Sequence, residues 1–146
     1  MYTRDEINEA LAAGSRQAGL AIVPQQDISG HGTAVAALAA GSQSGVAAQA
    51  QLVVVKLGNP LAESFPRTTQ LMRGISYVVN LGVELNMPVV VNLSFGNTYG
   101  DHRGESLLER FIDNASEIGR TAIIIGSGNE GAPMATPQEL PLRRRT

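Results

Sequence analysis

The sequence predicts an α/β fold, with a mainly parallel sheet and helices on both faces. Three short apolar runs rich in β-branched residues are typical of buried strands, and they cover residues 51–57, 88–96 and 121–125. Stretches with helical character lie between the runs. Since parallel neighbours need a long crossover connection, strands that alternate with helices favour parallel pairing.

Four helices are expected from local patterns. Thr3 and Glu6 have the spacing of a capping box, which predicts a helix over about 3–13. The alanine-rich stretch HGTAVAALAA predicts a well-buried helix over 31–40, because alanine has a high helix propensity and permits close approach. Apolar residues at helical spacing predict two more helices, over about 68–86 and 107–118.

The composition excludes several classes of function. The chain has 146 residues, of which 43% are hydrophobic and 16% are charged, as is ordinary for a soluble α/β protein of about one domain. A net charge of −2 gives no reason to expect nucleic acid or an anionic membrane as a partner. No apolar run approaches the ~18 residues of a membrane span. Because cysteine is absent, disulfides, thiolate metal sites and a cysteine nucleophile are excluded.

The loop GSGNEG follows the third predicted strand and has the glycine spacing of a dinucleotide-binding fingerprint. That fingerprint needs a helix that opens inside the glycine run, so that the helix N-terminus faces the pyrophosphate. Three prolines follow soon after the loop, at Pro133, Pro137 and Pro141. Proline in a helix interior costs about 3 kcal/mol, so the sequence disfavours a nucleotide site. Two other interpretations of this loop remain: a simple glycine turn that ends the strand, and a loop that binds another ligand.

His31 stands between Gly30 and Gly32 at the start of the predicted helix 31–40. Flanking glycines let a ligand approach the backbone closely, although a lone histidine here can also be a helix-cap residue without chemistry. A metal site built on Asp27 and His31 is disfavoured, because the other histidine, His102, lies in a polar loop and three convincing ligands are missing.

Three motifs together resemble one enzyme family. GHGTAVAALAAG followed by GVAAQAQLVVVKLG resembles the histidine segment of the subtilisin-like serine peptidases, the subtilases. VVVNLSFG resembles the strand that forms one wall of their primary specificity pocket, and AIIIGSGNEG resembles their oxyanion-hole segment. The motifs occur in the family's order. The resemblance implies a partial subtilisin-like domain over residues 1–131, followed by an irregular tail rich in proline and arginine over 132–146.

The resemblance also implies roles for individual residues. His31 corresponds to the general base of the Ser-His-Asp triad, and Asn129 corresponds to the side-chain amide that donates to the oxyanion. One wall of the pocket, which pairs with the substrate backbone, is implied to consist of Ser94, Phe95 and Gly96, and the opposite wall of Ser127 and Gly128. The implied partner is therefore a peptide or protein substrate.

The sequence departs from the family pattern at two catalytic motifs. Subtilases carry their aspartate upstream of the histidine as Asp-Ser/Thr-Gly and their nucleophile as Gly-Thr-Ser-x-Ala, and neither motif occurs in these 146 residues. Asp27 matches an acidic position of the family's histidine loop and not the triad acid. We therefore expect a segment of a serine endopeptidase that is inactive by itself. The alternative is a non-catalytic peptide-binding module, a pseudopeptidase.

Further expectations concern cofactors, location and association. The stretch GSQSG at 41–45 is short, which implies that the calcium loop of some relatives is absent, so no metal or other cofactor is expected. YTRDEINEAL resembles clostridial subtilases, including those linked to spore germination, which implies a bacterial parent that is secreted or spore-associated. No signal-peptide core is visible at the N-terminus. A truncated parallel sheet leaves an unpaired edge, which predicts self-association.

Overall fold

The computed structural model describes residues 1–57, 68–94 and 103–126. The chain divides into two compact units, Met1–Gln51 and Leu52–Thr146. The expected boundary at residue 131 and the tail after it lie outside the described residues and stay predictions.

The first unit contains three helices, α1 (Arg4–Ala12), α2 (Arg16–Ile22) and α3 (His31–Ala40). The capping box that predicts α1 is present: the Glu6 amide donates to the Thr3 hydroxyl at 3.3 Å, and the Thr3 amide donates to the Glu6 carboxylate at 2.6 Å. Helix α2 was not predicted from the sequence. It packs against α1, and Gly19 permits this approach, because a Cβ there would lie 2.6 Å from the carbonyl oxygen of Ala10.

Helix α3 forms where the sequence predicts it, but the expectation that it is well buried is wrong. None of its residues is buried, and Leu38 is 69% exposed. High alanine content favours the helix itself, whereas burial requires another element that covers its surface.

The second unit contains α4 (Thr68–Glu84), β1 (Val89–Leu93), α5 (Leu107–Ser116) and β2 (Thr121–Ile125). The two strands pair in parallel, in a register that runs from Val89 opposite Thr121 to Leu93 opposite Ile125. The chain passes from β1 through α5 to β2, which is the crossover that a parallel pair requires. The predicted α/β class with a parallel sheet is confirmed.

The core of the second unit lies between its helices and one face of the sheet. It consists of six buried side chains from α4, β1 and α5: Leu71, Ile75, Val79, Val91, Leu93 and Ala115. Because α4 contacts both β1 and α5, the two helices share this face. On the other face, Val90 is 71% exposed and Ile124 is exposed too. Within the described part of this unit, helices therefore cover one face of the sheet.

Residues 51–57 do not form the predicted buried strand. No strand is present over this range, and the side chains from Leu52 to Val55 are exposed. The end of the range lies along α4, since a Cβ at Gly74 would be 3.1 Å from Val55 and 3.5 Å from Leu57. β-branched residues suit a strand only where a neighbouring strand pairs with their backbone, and no strand in the described ranges does so here.

Candidate functional site

His31 is the first residue of α3 and is exposed. The preceding residue, Gly30, has a φ of 76°, the left-handed conformation that favours glycine. The carbonyl oxygen of Gly30 accepts the amide of Ala34 at 3.0 Å, and the His31 amide donates to the Ser29 hydroxyl at 3.3 Å. The fold therefore places the candidate general base directly after a glycine turn, at the exposed start of a helix.

We expect Gly30→Ala to lower the free energy of unfolding by about 1–2 kcal/mol, the usual cost of placing an L-residue in the left-handed region. Nothing lies within 4 Å of a Cβ at this position, so the cost comes from the backbone and not from crowding. Urea denaturation followed by circular dichroism measures it. Gly14→Ala is the control, because Gly14 has the same open space without a positive φ. An equal loss in both variants would contradict the argument.

Asp27 organises the loop in front of α3. Its Oδ1 accepts the Gly30 amide at 3.0 Å and the Ser29 hydroxyl at 3.1 Å. Its Oδ2 accepts the amide and the hydroxyl of Thr33, both at 2.8 Å. Hydrogen bonds lower the pKa of Asp27 to about 2, and the bond from the Thr33 amide has the largest effect, followed by the bond from the Thr33 hydroxyl. The carboxylate is therefore charged near neutral pH, and negative charge is favourable at a helix N-terminus.

This role of Asp27 was missed at the sequence level, where the residue was considered as a disfavoured metal ligand and as an acidic position shared with the family's histidine loop. One local signal was available, because Asp27 stands shortly before Ser29 and Gly30, and aspartate near serine and glycine is typical of a turn in which the carboxylate binds nearby backbone amides.

Ser94 lies at the carboxyl end of β1, beside the first residue of the loop after β2. The Gly126 amide donates to the carbonyl oxygen of Leu93 at 3.1 Å, and a Cβ at Gly126 would lie 4.0 Å from the Cα of Ser94. The side-chain amide of Asn92 donates to the Ser94 hydroxyl at 2.6 Å. The two loops predicted to bind substrate thus leave the sheet next to each other, at the edge where α/β proteins place their sites.

The remaining predicted site residues, Phe95, Gly96, Ser127, Gly128 and Asn129, lie outside the described residues and stay predictions. The same holds for His102. Over residues 1–57, 68–94 and 103–126, no group of three or more His, Asp or Glu side chains could hold a metal ion. No helix in these ranges has the length and apolar character that a membrane crossing requires.

Comparison with known proteins identifies the family. The sequence profile described as the Subtilase family matches residues 14–142. A subtilisin-like protease of Coccidioides posadasii is 34% identical over 112 residues, which are 75% of this chain and 26% of that protein. The structure of the Clostridium perfringens CspB protease has a TM-score of 0.76 and 35% identity, over 85% of this chain and 27% of that one.

The chain spans about a quarter of the length of both relatives. The family profile nevertheless extends over most of the chain, and the motifs around His31 and Ser94 fall within the matched range. The chain is therefore a member of the subtilase family.

Proposed function

We propose that this chain carries the histidine and oxyanion segments of a serine endopeptidase, whose aspartate and nucleophilic serine lie outside these 146 residues. The observation that carries the proposal is the placement of His31 in a subtilase-family chain. His31 is exposed at the start of α3. It follows a glycine in the left-handed conformation and a loop that a charged aspartate holds in place.

His31 acts in this proposal as the general base. Histidine suits the role because an imidazole can accept a proton and donate it again, so that it can take the proton of the serine hydroxyl and later give it to the leaving amine. The Asn129 amide donates to the oxygen that becomes negatively charged in the tetrahedral intermediate. The combination acts on peptide bonds through an acyl-enzyme.

The substrate lies, in this proposal, at the carboxyl ends of β1 and β2. An extended peptide can pair with the backbone beside Ser94 as an added strand, between a wall of Ser94, Phe95 and Gly96 and a wall of Ser127 and Gly128. The neighbouring positions of Ser94 and Gly126 support this arrangement, because both walls start from there. The substrates are accordingly peptides or proteins.

We expect the isolated 146-residue chain not to hydrolyse peptides by the triad mechanism, because the sequence holds neither of the family's aspartate and serine motifs. What remains without a nucleophile is at most assistance from the oxyanion hole. Release of fluorescence from labelled casein measures the activity, with His31→Ala as the control. Robust hydrolysis that disappears in His31→Ala would contradict the proposal that the nucleophile lies elsewhere.

We also expect the isolated chain to self-associate through its sheet. The face that carries Val90 and Ile124 is exposed, and β1 pairs on one side only within the described ranges. Exposed apolar faces and unpaired edges favour pairing with another copy. Light scattering should show a mass that rises with concentration and returns toward the monomer in Val90→Lys. Val46→Lys, at an exposed valine of the first unit, is the control. A monomer at all concentrations would refute the expectation.

A further inference from the structure

We propose that Asp27 is a positioning residue for His31. Its carboxylate holds the backbone on both sides of the histidine and so sets the direction in which the imidazole leaves α3. This inference rests on the proposed role of His31 as general base, and it adds the group that keeps that base oriented.

The hydrogen bonds of Asp27 enclose His31 along the chain. On the N-terminal side, Oδ1 accepts from Ser29 and Gly30, and on the C-terminal side Oδ2 accepts twice from Thr33. The His31 amide joins the same network, since it donates to the Ser29 hydroxyl, which in turn donates to Asp27. One carboxylate thereby fixes the two residues before His31 and the second residue after it.

The arrangement exceeds an ordinary helix cap. The N-cap of α3 is Gly30, which has no side chain to accept a hydrogen bond, and Asp27 takes over this task from three residues earlier. An ordinary cap accepts from the first turn of the helix alone. Asp27 also accepts hydrogen bonds from the turn that precedes the helix, and that turn determines where α3 begins and therefore where His31 lies.

Packing around the carboxylate is open. A Cβ at Gly32 would lie 3.6 Å from Oδ2, which is an ordinary contact, and the residues of this loop are exposed. Because this loop is exposed, the hydrogen bonds of Asp27 contribute to holding its backbone in place. A catalytic side chain must stay within about 0.5 Å and 10–20° of its productive geometry, which an exposed loop keeps only if such bonds fix it.

Two substitutions at Thr33 separate positioning from simple capping. Thr33→Val keeps the backbone amide that caps α3 but removes the hydroxyl that also donates to Asp27. Thr33→Ser keeps both donors. If Asp27 serves only to start the helix, the two variants behave alike. If the complete set of bonds orients His31, Thr33→Val changes the orientation of the His31 side chain and Thr33→Ser keeps the wild-type orientation.

The experiment is nuclear magnetic resonance of the isotopically labelled 146-residue chain, with the ring and amide signals of His31 as the readout. We expect Asp27→Asn to shift and split both signals, because an amide offers one acceptor oxygen where the carboxylate offers two. Thr33→Val should cause a smaller shift, and Thr33→Ser should resemble the wild type. Asp5→Asn removes an exposed carboxylate of α1 in the same unit and should leave His31 unchanged.

Unchanged His31 signals in Asp27→Asn would overturn the inference. A combination of two results would also overturn it: Asp27→Asn loses the amide signals along the whole of α3, and Thr33→Val keeps the wild-type His31 signals. Asp27 would then only start the helix. None of these measurements requires peptidase activity. Failure of the proposed function would appear in a different experiment, as peptidase activity of the protein from the complete reading frame that does not depend on His31.

Discussion

Replacement of His31 by alanine in the protein encoded by the complete reading frame should abolish peptide hydrolysis, with kcat lowered by about 10⁶-fold, the scale measured for this substitution in subtilisin. Without a base, the serine hydroxyl keeps its proton and stays a weak nucleophile. Steady-state kinetics on a fluorogenic peptide measures the effect. The matched control is His102→Ala, which removes the other histidine of the chain and should leave activity unchanged.

The same assay separates the base from the oxyanion donor. Asn129→Ala should lower kcat by only about 10²–10³-fold, again the range found in subtilisin, and should change KM little. The amide meets negative charge only in the transition state, so its loss weakens binding of the substrate much less. Equal losses in both variants, or a loss in His102→Ala, would contradict the roles proposed for His31 and Asn129.

Truncation of the core of the second unit should cause the largest loss of stability. Ile75 on α4 is 2% exposed and belongs to the cluster that joins α4, β1 and α5. Ile75→Ala removes buried methyl groups and leaves a cavity, which should lower the free energy of unfolding by about 2–5 kcal/mol. Urea denaturation measures this loss.

The chain offers a matched pair of valines for the control. Val79 is buried on α4, and Val83, one turn further along the same helix, is 53% exposed. Val79→Ala should cost about 2 kcal/mol from its lost methyl groups and the cavity, whereas Val83→Ala should stay within about 0.5 kcal/mol. Similar losses at the two positions would refute the described packing of α4.

Local patterns predicted the elements whose determinants are local. The capping box of Thr3 and Glu6 specified the start of α1, and the helical spacing of Leu71, Ile75 and Val79 specified both α4 and its buried face. Predictions that depend on partners distant in the sequence were wrong at two places. Residues 51–57 have the composition of a strand without a paired neighbour in the described ranges, and the apolar surface of α3 is not buried.

The candidate site was predictable to a similar degree. A histidine between two glycines indicated a helix start that a ligand can approach, and the structure places His31 there. The adjacency of Ser94 and the loop after β2 followed from parallel pairing, since the carboxyl ends of parallel strands meet at one edge. The hydrogen bonds of Asp27 depend on the folded path of the loop, which the sequence does not specify by spacing alone.

The central claim is that His31 serves a serine nucleophile located outside these 146 residues. The most direct measurement is labelling by a fluorophosphonate of the protein from the complete reading frame, compared with its His31→Ala variant, with the labelled residue located by mass spectrometry. We predict one labelled serine per chain, outside this segment, and its loss in the variant. Absence of labelling would contradict the account and favour a subtilase-like module that binds peptides without cleaving them. Labelling that persists in His31→Ala would also contradict the account, because the serine would then be activated without this histidine.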